Sequence, residues 1–141
     1  MSAMSFSPTL RNARATAIKD ALDAGSAGAV MAFYTAPRPA AGAAVTTQTH
    51  LGDCALSKPC GSVASQALTL DTITDGAGLA TGAAVWCRIS DSAGAWVIDA
   101  DVSDATGTAP VKIGTVDAPS NMIFLGGAIS VSSGVITEGN A

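Results

Sequence analysis

AVWCRISDSAGAWVIDADVS, residues 84–103, holds both tryptophans of the chain, Trp86 and Trp96, together with Cys87, Arg88 and the aspartates Asp91, Asp99 and Asp101. Side chains alternate along a strand, so VWCRIS sends Val85, Cys87 and Ile89 to one face and Trp86 and Arg88 to the other. In AWVIDADV the two faces are Trp96, Ile98, Ala100 and Val102 against Val97, Asp99 and Asp101. The linking DSAG has Asp at the first turn position and Gly at the last, which makes the stretch an antiparallel hairpin. Asp99 and Asp101 then lie side by side, with Arg88 on the partner strand as a counter-charge. Two carboxylates that close can share a proton or, with Asp104, hold a hard cation. A Ca²⁺ site takes about six or more oxygens, usually on a loop, so a solvated sheet face is the simpler reading. Trp86 and Trp96 are assigned to core packing, with an interface anchor as the alternative.

Outward from the hairpin, short apolar runs bounded by Gly, Pro, Asp and Ser continue in both directions, as strands and their turns do. Candidate strands are 29–36 (AVMAFYTA), 45–51, 66–74 (QALTLDTIT), 83–90, 95–102, 111–116, 121–125 and 128–137. PRPAAGAA at 37–44 is an exposed connection, and GDCALSKPCG at 52–61 a long loop or a short edge strand. The expected architecture is all-β, a jelly-roll-like β-sandwich over residues 28–141.

Residues 1–27 form a separate helical segment. In SPTLRNARATAIKDALDAG, Ser7 is an N-cap, Pro8 occupies the first turn and Gly25 stops the helix, giving a span of Pro8–Ala24. At 100° per residue Leu10, Ala13, Ala17, Ile18 and Ala21 make one stripe, opposite Asn12, Thr16, Lys19, Asp20 and Asp23. Arg14 projects from inside the apolar stripe, either covering it with its stem or reaching an acidic group on a partner.

Composition bounds the function. Leu, Ile, Val and Phe number 29 of 141 residues, while alanine alone also numbers 29 and buries little area per residue. One thin domain is expected, completed by contact with other subunits. A net charge of −4 with seven scattered basic residues argues against a phosphate-backbone partner, so no nucleic acid is expected. The longest apolar run, MIFLGGAISV at 122–131, is too short to span a bilayer, and no secretory signal is visible. No membrane partner is expected, and synthesis is assigned to the cytoplasm.

Catalytic signatures are weak. His50, Cys54 and Cys60 are spaced H-x₃-C-x₅-C, unlike the tight pairs of structural zinc, and Cys87 would have to be a distant fourth ligand. A Cys–His nucleophile pair can be drawn from the single histidine, but no G-x-S-x-G, Walker or dinucleotide motif accompanies it. No enzyme activity, no cofactor and no metal are expected. The odd cysteine count fits free thiols.

The order of features, LRNARATAIKDALDAG, then AVMAFYTAPRP, then the hairpin, then a terminal VITEGN, resembles the small cement or decoration proteins of tailed bacteriophages. The resemblance implies a jelly-roll-like domain on the outside of the capsid, a virion protein made in the host cytoplasm. Its implied partners are the major capsid protein and further copies of itself, as a homodimer or homotrimer. It carries no catalytic residues over, and the cysteine loop at 52–61 departs from its pattern. Interface candidates are Arg11, Arg14, Ile18, Arg38, Trp86 and Trp96. The alternatives are a tail or neck protein of the same virion, and a carbohydrate-binding β-sandwich using Trp86 or Trp96 as a stacking platform.

Overall fold

The computed structural model describes residues 4–138. Gly139 and Asn140 of the VITEGN motif lie outside the described residues. Helix α1 spans Pro8–Leu22; the Ser7 side chain accepts from the Leu10 N–H at 3.1 Å and Asp23 caps the other end, so the helix stops two residues before the expected Ala24.

The strands follow in chain order as β1 Val30–Tyr34, β2 His50–Ala55, β3 Gly61–Ala64, β4 Ala67–Leu70, β5 Gly76–Ala77 and β6 Gly82–Ala83. Then come β7 Trp86–Ser90, β8 Trp96–Asp104, β9 Val111–Ile113, β10 Met122–Ile123, β11 Ala128–Ile129 and β12 Val131–Thr137. Eight of them join in one sheet, ordered β2-β1-β7-β8-β9-β12-β4-β3, while β10 pairs with β6 and β11 with β5. Only β8 and β9 run parallel among the paired strands. The class is therefore all-β with one N-terminal helix, as expected. The eight joined strands form one large curled sheet, a half-barrel, and the jelly-roll order is not confirmed.

The opening hairpin forms as read: Arg88 faces Asp99 and Cys87 faces Ala100 across β7 and β8. Its turn is held by the Asp91 carboxylate, which accepts from the N–H groups of Ala93 and Ala95. The concave face carries Met31, Phe33, Cys87, Ile89, Ala100, Val102, Val111 and Leu68, all buried, and Leu22 of α1 joins them.

Two expectations are corrected. The strand placed at 45–51 is β2 at His50–Ala55, which runs into the 52–61 stretch and forms the sheet edge there, the edge-strand alternative for that stretch. Its alternation is broken at Gly52, φ +149°, where the register with β1 shifts; Leu51 and Cys54 are buried while His50 and Asp53 stay exposed. A bulge of this kind hides a strand from a period-two search.

The helix is rotated from its expected phase. Ala15 and Leu22 are buried and Ile18 packs on the core, but Leu10, Ala13, Ala17 and Ala21 are exposed. Polar bonds set this phase. Asn12 Oδ1 accepts from the Gln66 N–H at 2.8 Å, Asp23 Oδ1 from the Cys60 N–H at 2.8 Å, and Arg11 Nε donates to the Glu138 carbonyl at 2.8 Å. Burying three alanines offers too little to compete with orphaning those groups. The Gln66 bond also steadies the β3–β4 turn, where Ser65 and Gln66 both take positive φ, the geometry of a two-residue hairpin turn usually built from Gly or Asn.

Candidate functional site

The convex face of β1, β7 and β8 carries a continuous row of polar and aromatic side chains, placed there by strand alternation. Tyr34 lies opposite both His50 and Trp86, and Trp86 opposite Asp101. The Tyr34 ring stacks on Trp86 with centroids 4.7 Å apart and on His50 at 5.1 Å. The Arg88 guanidinium sits 5.4 Å from the Trp86 ring centroid, and Trp86 Nε1 donates to the Thr35 carbonyl at 2.9 Å. Trp86 has no exposed surface.

Asp99 is the hub of this row. Arg88 donates to its two oxygens at 2.7 and 2.9 Å, Trp96 Nε1 at 3.1 Å and the Gly42 N–H at 3.1 Å. Burial pushes its carboxyl up, but the Arg88 bond and the two further donors outweigh that and hold it below the usual carboxylate range. Arg88 also donates to the Ala43 carbonyl, so the 37–44 connection, irregular as expected, is pinned to the sheet.

The three carboxylates weighed as a cation set do not come together: Asp99 is taken by Arg88, Asp101 by Arg38 at 3.3 Å, and Asp104 by the N–H and hydroxyl of Thr106. Nor does the His50–Cys54–Cys60 set. The Gly52 bulge leaves His50 exposed and bonded to Asp53 at 2.7 Å, while Cys54, Cys60 and Cys87 are buried. Among the described residues no group of His, Cys, Asp or Glu is arranged to hold a metal ion.

Burial pushes the thiols of Cys54 and Cys60 up to about 11 and that of Cys87 higher still, so they stay protonated at neutral pH and are poor nucleophiles. Native protein at pH 8 is therefore expected to react with a thiol reagent far more slowly than urea-unfolded protein, which should titrate all three. Prompt reaction of Cys87 in the native state would contradict this placement.

The interface candidates divide. Arg11 and Arg14 clamp α1 to its own chain, Arg14 pairing with Glu138 at 3.0 Å, and Ile18 packs on the chain's own core. Trp86 is enclosed, so it is corrected from interface candidate to structural anchor. Arg38 and Trp96 remain accessible; Trp96 is 47% exposed, although the strand pattern placed it with the core-facing Ile98 and Ala100. The ladder is irregular between Ile89 and Ser90, opposite Trp96, and the indole turns toward Asp99.

Sequence reasoning missed one surface. The 76–82 and 122–127 segments are tied together by bonds from Gly126 N–H to the Gly78 carbonyl, Gly78 N–H to the Gly127 carbonyl and Leu125 N–H to the Thr81 hydroxyl. A Cβ at Gly78 would stand 2.1 Å from the Phe124 carbonyl oxygen, so only glycine permits this approach. The tip so formed exposes Leu79, Met122, Phe124 and Leu125, the last by 70%. No ionisable residue occurs in 76–86 or in 118–137. That charge-free run was visible in the sequence; its exposure was not.

No protein-family model matches the chain, and no curated protein and no solved structure is significantly similar to it.

Proposed function

We propose that this chain is a structural virion protein, a cement that binds the outer surface of a phage head and stabilises contacts between major capsid proteins. The observation that supports it best is the apolar tip: Leu79, Met122, Phe124 and Leu125 project from a compact β scaffold on two segments without charged residues. Clustered exposed apolar side chains of this kind mark protein-binding surfaces. The likeness of feature order to the cement proteins points the same way. In a symmetric shell one modest contact repeated at every lattice position adds to a large effect, which suits a domain with few large side chains.

The test is reconstitution. Shells carrying the protein are expected to resist heat better than bare shells, and Phe124→Ser with Leu125→Ser is expected to abolish binding while leaving the circular dichroism of the free chain unchanged. Occupancy should follow the number of lattice positions; occupancy of a single ring would assign the chain to the neck or tail. Equal heat resistance of bare and complete shells would remove the cement reading.

A further inference from the structure

On the convex face, away from the apolar tip, the pinned connection and β8 border a half-open cavity of about 400 Å³ lined by Arg38, Pro39, Ala40, Ala41, Trp96 and the Val97–Asp99 stretch. We propose that this cavity is a binding site for a neutral saccharide, with the Trp96 indole as its stacking platform.

Trp96 is exposed yet held. Its Nε1 is bonded to Asp99, and the backbone of Gly42 lies so close against the six-membered ring that a Cβ there would come to 2.8 Å of it. An exposed aromatic that loses no rotamer freedom on binding is a preorganised platform. The negative π face of an indole attracts the weakly positive C–H face of a pyranose ring. Arg38, which lines the cavity, pairs through Nε with Asp101 at its rim at 3.3 Å, and both side chains keep about half of their surface exposed. A donor and an acceptor side by side suit vicinal hydroxyls.

The charges select the ligand class. Arg88 neutralises Asp99 and Arg38 neutralises Asp101, so the site holds no excess charge for an anion. A cation over Trp96 would meet the Arg38 guanidinium. A neutral polyol faces neither penalty. The volume lies within the range of about 300–1,000 Å³ common to small-ligand pockets. The tip is not involved, so this site and the capsid role stand or fall separately.

The test uses the full chain, in which Trp96 is the exposed indole and Trp86 the enclosed one. Cellohexaose, maltohexaose and chitohexaose are titrated while tryptophan emission is followed. At least one is expected to shift the emission saturably at millimolar concentration or below. By isothermal titration calorimetry, which needs no indole as reporter, Trp96→Ala should abolish binding, Trp96→Tyr should retain part of it, and Arg38→Ala should weaken it about tenfold with the fold intact by circular dichroism. Silence with all three sugars overturns the proposal. So does calorimetric binding that survives Trp96→Ala, or binding of a proline-rich peptide without any sugar.

Discussion

Trp86→Ala is expected to destabilise the protein by about 3–5 kcal/mol, the range for removing a large aromatic from a closed site. Trp86 has no exposed surface, and three of its neighbours depend on it: Tyr34 stacks on its ring, Arg88 lies over it, and the Thr35 carbonyl accepts its N–H. A domain of this size is stable by only about 5–15 kcal/mol in total, so the variant stands close to unfolding at ambient temperature. Urea denaturation followed by circular dichroism measures the loss. Trp86→Phe should cost distinctly less, because the stack survives and only the hydrogen bond and part of the volume go. A loss below about 1 kcal/mol for the alanine variant would mean that the convex-face row is decoration on a fold held elsewhere.

How much of this was legible in the sequence depends on where side-chain size carries the pattern. In the 84–103 hairpin, large apolar residues alternate with Arg88, Asp99 and Asp101, and the faces form as read except where the ladder is irregular, at Trp96 and at Val97, which packs on the core. The start of α1 was marked by Ser7 and Pro8, whose roles are local, while its end came two residues before the expected Ala24, at the Asp23 cap. Its phase was not legible. Alanine contributes little on either side, and the deciding bonds run from Asn12, Arg11 and Asp23 to Gln66, Glu138 and Cys60, partners far along the chain. β2 was hidden by the Gly52 bulge for a related reason: period two fails where the backbone inserts a residue. The Asp99 hub was half visible. Arg88 could be named from strand pairing, but Gly42 and Trp96 reach Asp99 only because the 37–44 connection folds over the sheet, which no local pattern encodes.

That hub carries the second large effect. Asp99→Asn keeps the shape but removes the charge opposite Arg88, whose side chain is 16% exposed against 4% for Asp99. Breaking a buried pair from one side costs about 3–5 kcal/mol, because the remaining ion is left without its counter-charge. Exchanging both partners for apolar residues, as in Arg88→Met with Asp99→Leu, often restores stability where a pair stands alone. Here it is expected to fail, since Asp99 also accepts from Gly42 and Trp96, and Arg88 also donates to Ala43; all three groups would lose their partners and the 37–44 connection would detach. Acid supplies an independent check. The folded carboxyl of Asp99 is held below its unfolded value of about 3.9, so its contribution is complete above that pH and is lost as pH falls through the folded value. Wild type should therefore lose stability on acidification below about pH 4 more steeply than Asp99→Asn, the residual slope coming from Asp23 and Asp104, which are lowered as well. Parallel acid profiles for the two proteins would show that the Asp99 charge does not hold the convex face together.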